Sequence, residues 1–167
     1  MNRLNILAPA AYIATIGAAN WAVANVGIIP VGFGLMAPAG VLFVGLAFTL
    51  RDLTQDAYGK VVTIAAILAG ALLSLLISTP ALALASAAAF LFSELADMAV
   101  YTPLRKRGWL RAIAASNIVG LVVDSVLFLW LAFGSLTFLA GQIWGKAIMT
   151  LAAVAAVRLY RARRVLT

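Results

Sequence analysis

The sequence contains no cysteine and no histidine. Without thiolate or imidazole there is no disulfide, no cysteine nucleophile, no imidazole base and none of the usual zinc or copper sites. Charge is scarce as well. Charged residues make up 10% of 167 positions, against about 25% in soluble domains. With 65% hydrophobic residues and a mean hydropathy of +1.10, the chain has too little polar surface to stay in water. A soluble enzyme and any sizeable extramembrane domain are therefore excluded. No GxxxxGK[ST] run occurs, so a P-loop cannot hydrolyse ATP here. No metal or cofactor site is expected.

Long apolar runs fill the sequence instead. A membrane-crossing helix needs roughly 20 apolar residues, so six crossings use about 120. Six segments meet this description, at about 4–26, 35–50, 61–78, 81–101, 109–133 and 136–160. Between them fall Gly27-Ile28-Ile29-Pro30, the polar stretch Arg51 to Lys60, Thr79-Pro80, Pro103 to Gly108, and Gly134-Ser135. Strands are not expected, because a membrane barrel needs short alternating segments rather than continuous apolar ones. The expectation is an all-α, six-helix membrane protein in one domain.

The opening Met1-Asn2-Arg3 has the look of a signal peptide. The apolar stretch after it is long and punctuated by Asn20 and Asn25, so it reads as the first span. Arg3, Arg51, Lys60, Arg105, Lys106, Arg107, Arg111, Arg158, Arg161, Arg163 and Arg164 all fall at alternate boundaries. By the positive-inside rule this places both termini in the cytoplasm. The same rule accounts for the net charge of +7 without a nucleic-acid partner, since no aromatics interleave with a soluble basic face.

The second segment is short, about 16 residues or 24 Å of helix, and Pro38 interrupts its start. Either the helix begins earlier, near Val31, or the stretch from Gly27 to Gly40 is partly unwound and packed inside the protein, or it is an apolar loop at the outer surface. Ala10, Ala14, Ala18 and Ala22 recur every four residues, and Ala66, Gly70, Ser74 and Ser78 do the same. Small residues at this spacing let helices approach closely. They serve packing within the fold or, on the first span, docking of a separate energising module.

A charge inside a bilayer costs at least about 2.5–3.5 kcal/mol, so it faces the protein interior or a wet cavity. Glu94, Asp97, Asp124 and Lys146 are the candidates once boundary charges are set aside, with Asn20, Asn117, Ser125 and Gln142 as polar companions. Counted from Gly134, Asp124 lies about 15 Å and Lys146 about 18 Å below the outer turn. The two adjoining spans are antiparallel neighbours, so an Asp124–Lys146 ion pair is expected, as a structural staple or as part of a site. Asp97, one turn from the cytoplasmic end, reads as solvated. Glu94 has no basic neighbour in sequence and reads as a ligand contact. Trp21, Phe90 and Trp144 flank these polar groups, a combination suited to a flat polar heterocycle. In the cytoplasmic segment, Asp56 and Lys60 stand four apart as a helical ion pair. With Arg51 and Asp52 they make a gate latch or an ordinary solvated turn.

The order of short motifs is similar to that of the vitamin uptake transporter family. Ala37-Pro38-Ala39-Gly40, Phe48-Thr49-Leu50-Arg51-Asp52-Leu53 and Gln55-Asp56-Ala57-Tyr58-Gly59 resemble it first. Ser93-Glu94-Leu95-Ala96-Asp97 with Val100-Tyr101 follow, then Ser116-Asn117, Gly120 and Val123-Asp124-Ser125. The resemblance implies a six-helix inner-membrane carrier, similar in fold to the substrate-binding components of energy-coupling-factor transporters. It also implies import of a queuosine precursor such as 7-cyano-7-deazaguanine. One carboxylate would accept the paired donors of that guanine-like edge, Glu94 first and Asp124 second. The partners expected are this small substrate and the lipid bilayer. A second copy of the chain, and an ATP-driven module on the Ala10–Ala22 ribbon, stay open.

Overall fold

The computed structural model describes residues 3–77 and 79–165. An apolar chain in lipid has no water to satisfy its peptide groups, so helices that bond internally are the economical solution. The elements are α1 (Arg3–Asn25), β1 (Ile28–Gly32), β2 (Leu35–Pro38), α2 (Val41–Ile77), α3 (Pro80–Leu104), a 3₁₀ turn (Arg105–Arg107), α4 (Trp109–Phe133) and α5 (Leu139–Val165). All five α-helices are long and apolar enough to cross a membrane. The segment expected at 109–133 is matched by α4, which Gly134 ends in the left-handed conformation with its N–H on Trp130 O at 3.0 Å.

Two expectations need correction here. The polar stretch Arg51 to Lys60, expected to connect two spans outside the membrane, is helical and lies within the 37-residue α2. Only Gly59 departs from helical geometry, with φ 78° and ψ 179°. A side chain there would be strained, so glycine is what lets the helix break at one residue. The contacts on either side of the break run in opposite order along α3. Going forward from Arg51 to Asp56, the partners advance from Glu94 to Tyr101. Gly70 meets Phe90, whereas Ser74, further on, meets Asn20, which in turn bonds Ser86. The two arms of α2 are therefore antiparallel.

The second correction concerns 27–40, where no strand was expected. β1 and β2 form an antiparallel hairpin, and the second helix starts at Val41 rather than near 35. Its tip, Phe33, has φ 52° and is 86% exposed, resting edge-on against Trp144 at 5.1 Å. The hairpin stem is drawn in: Ala37, Pro38, Ala39 and Gly40 are buried. A helix starting near Val31 is ruled out by the hairpin, whereas the other two readings hold in part, since the tip is an open loop and the stem is packed non-helical backbone. The stem sits so close to α5 that Met36 O lies where a side chain at Gly141 would be.

The main apolar core joins α1, both arms of α2, Phe90 and Val157 of α5. Of the two small-residue stripes, Ala66, Gly70 and Ser74 are buried, with Gly70 against Ile16 and Phe90, while Ser78 lies outside the described residues. On α1 the face turned inward carries Tyr12, Ile16 and Asn20 instead. Ala22 is buried with them, but Ala10 and Ala14 are exposed and Ala18 is half-buried.

Candidate functional site

Below the hairpin stem the helices surround an open-mouthed cavity. Pro38, Gly40 and Val41 form its roof. Phe90 and Phe128 give it aromatic walls, and Asn20, Asp124, Gln142 and Lys146 bring polar groups to it.

Each polar group is held by partners from other helices. On α5 the Lys146 ammonium donates to Asp124 Oδ2 at 2.6 Å, to Ser125 Oγ at 2.8 Å and to Gln142 Oε1. The ion pair expected from the short turn between α4 and α5 is thus present. Asp124 Oδ1 accepts only a long bond from Ser93 Oγ, 3.4 Å, which leaves that oxygen open to a stronger donor. Across the cavity, Asn20 Nδ2 donates to Ser74 Oγ at 2.9 Å, and Ser86 Oγ donates to Asn20 Oδ1 at 2.6 Å. Asn20 so ties α1 to α2 and α3.

A second charged cluster lies toward the basic end. Arg51, fully buried, reaches Asp52 Oδ1 at 3.0 Å, Glu94 Oε2 at 3.1 Å and Asp97 Oδ1. Its guanidinium also stacks 5.5 Å from the centre of the Tyr101 ring. Arg51 therefore belongs to the core and is not a boundary charge. Glu94 is not unpaired, because its partner comes from 43 residues earlier in the chain. Asp97 is fully buried, not solvated. Neither carboxylate lines the cavity. Asn117, also buried, lies on the α4 turn beside Asp97 and likewise stays outside it.

The remaining expectations divide. Phe90 lines the cavity as expected, but Trp21 is 57% exposed on the outer face of α1. Trp144 turns to the hairpin tip, so its indole braces the roof and does not face the cavity. Asp56 takes Arg105 at 2.7 Å rather than Lys60, which is exposed. The Gly59 break separates Asp56 from Lys60, so the helical spacing that would pair them is lost. Tyr101 donates to the same carboxylate at 2.9 Å.

Four residues beyond the sequence candidates also build these sites: Tyr12, Ser86, Ser93 and Phe128. Tyr12 stands eight residues before Asn20, and Ser86 eight before Glu94, so each shares a helical face with a polar residue that did attract notice. No comparable signal marks Phe128.

A family profile described as "Putative vitamin uptake transporter" matches residues 74–160. This chain belongs to the vitamin uptake transporter family. The match takes in α3, α4 and most of α5, hence Glu94, Asp97, Asp124 and Lys146 together. No curated protein and no solved structure matches the chain. As a vitamin uptake transporter with five long apolar helices, it is a multi-pass membrane protein. The family is one of transporters, and the cavity offers hydrogen-bond donors, acceptors and flat apolar walls.

Proposed function

We propose that this vitamin uptake transporter imports a flat deazapurine, 7-cyano-7-deazaguanine or a close relative, across the inner membrane. In this reading the two arms of α2 each cross the bilayer, giving six crossings with both termini cytoplasmic. The architecture then resembles the substrate-binding components of energy-coupling-factor transporters, and the chain works as a carrier, not as an enzyme. The antiparallel order of the arms supports the crossing count. So does the gathering of Lys60, Arg105, Lys106 and Arg107 toward one end, which the positive-inside rule assigns to the cytoplasm.

The observation that carries the substrate class is the paired Asp124 and Lys146 at the cavity wall. A guanine-type edge presents one acceptor beside two donors. The Lys146 ammonium exchanges its bond to Ser125 or Gln142 for the carbonyl oxygen, and the Asp124 carboxylate accepts from the ring N–H and the exocyclic amine. Phe90 and Phe128 supply apolar surface for the ring faces, while Asn20 and Gln142 complete the rim. The carboxylate role expected first for Glu94 passes to Asp124, because Glu94 is held away from the cavity by Arg51.

The test is restoration of queuosine in tRNA, in bacteria lacking both precursor synthesis and their own importer, with 7-cyano-7-deazaguanine supplied at low concentration. Restoration by the wild-type chain and its loss in Asp124→Asn is the expected result. No restoration, and no binding of the compound to the purified chain, would overturn the substrate. Binding without restoration would instead point to a missing energising module.

A further inference from the structure

The Arg51 cluster has a charge imbalance that the cavity does not. Three carboxylates, Asp52, Glu94 and Asp97, surround one guanidinium, and all four side chains are sealed from solvent. Fully ionised, the group carries two uncompensated negative charges in a low-dielectric interior, a state that proteins relieve by taking up protons. The hydrogen-bond inventory is incomplete in the same place. Asp52 Oδ2 has no hydrogen-bond partner among the described residues. Nor has either amide atom of Asn117, which is 2% exposed and one residue from Ser116, the hydroxyl beside Asp97. Arg51 touches all three carboxylates from the middle of the group, and that fixed positive charge repels a metal cation. A proton needs no such space.

We infer that the Arg51–Asp52–Glu94–Asp97 cluster is a proton-binding site, distinct from the substrate cavity, whose loading and release drive uptake. An O–H bond forms on one carboxylate as a proton enters from the outer side, and the same proton leaves to the cytoplasm, so charge and atoms balance over a cycle. Polar groups flank the cluster on two sides. Toward the cavity, Ser93 adjoins Glu94 in sequence and donates to Asp124. Toward the basic end, Tyr101 lies against Arg51 and donates to Asp56, which pairs with Arg105, whose side chain is 43% exposed. The titratable groups facing the cluster are Tyr12 from α1, beside Glu94, Asp56 from α2, and Tyr101 from α3. The nearest α4 groups are the neutral Ser116 and Asn117.

The proton site stands on charge and burial, and only its coupling role rests on the transport reading. Infrared difference spectroscopy of the purified full chain at neutral pH reads the site with no substrate present. A protonated-carboxyl band is expected, abolished or shifted in Asp52→Asn, Glu94→Gln or Asp97→Asn and retained in Asp124→Asn. Each variant is nearly isosteric, and an unchanged elution profile in detergent certifies its fold. Absence of the band, or its survival in all three variants, overturns the site. In proteoliposomes, uptake of 7-cyano-7-deazaguanine rises several-fold with an inward proton gradient, and this gain disappears in the variant that loses the band. Uptake indifferent to the proton gradient, or driven by sodium instead, overturns the coupling. If the compound is not taken up at all, the infrared result still decides the site, so failure of the substrate reading stays separate.

Discussion

The molecule holds two buried ionic groups about as different as the same side-chain chemistry allows. At the cavity wall, Lys146 and Asp124 balance one for one, with Gln142 and Ser125 completing the ammonium's bonds. Toward the basic end, one arginine serves three carboxylates, and some neighbouring polar atoms have no hydrogen-bond partner among the described residues. A buried pair repays its desolvation only when its geometry is good and its other hydrogen bonds are met. The first group meets that condition and borders open space, where a ligand can exchange for a partner. The second does not, and it is closed, so the species that relieves it must be small. Equal burial thus hides a difference in charge balance and access.

Removing the cation from each group breaks the comparison most directly. Arg51→Leu should cost the most, on the order of 3–5 kcal/mol, because three carboxylates lose the cation they share. Its thermal unfolding in detergent should fall far below wild type, and an unchanged midpoint would mean that the carboxylates are already neutral without it. Lys146→Met should be milder, about 1–3 kcal/mol, since Asp124 keeps access to the cavity. Its main effect should be loss of ligand binding in a titration of purified protein.

Asn20→Ala, at the opposite wall, removes two interhelical hydrogen bonds. It should lower stability by about 1–2 kcal/mol and weaken binding without abolishing it. The smallest effect belongs to the exposed end of the polar chain. Arg105→Ala should change stability by less than about 1 kcal/mol, because its pair with Asp56 is largely solvated on the arginine side. A larger loss would make that pair a structural latch.

Local signals made much of this arrangement legible. Long apolar runs predicted the helices, and α4 was bounded correctly because Gly108 and Gly134 stop it at both ends. Asp124 and Lys146 could be paired from sequence because a short turn fixes their helices as neighbours at matched depth. Arg51 could not be placed that way. It ends an apolar run, which is also where an ordinary boundary arginine sits, and its partners Glu94 and Asp97 are supplied by a later helix. Asp97 reads as solvated in sequence because its partner, Arg51, lies on a different helix. The strands escaped notice because their residues are as apolar as the flanking helices; the bend at Phe33 and Gly34 and docking against Gly141 define them.

The separation of Arg51 from Glu94 also has a consequence for synthesis. The arginine leaves the ribosome 43 residues before that carboxylate, with Asp52 alone beside it in the interval. A guanidinium enters hydrocarbon at a steep cost when it is not neutralised, so the first arm of α2 has reason to wait at the interface until α3 emerges. Membrane insertion of these helices then becomes a joint event, ordered by an ion pair that only the later helix completes.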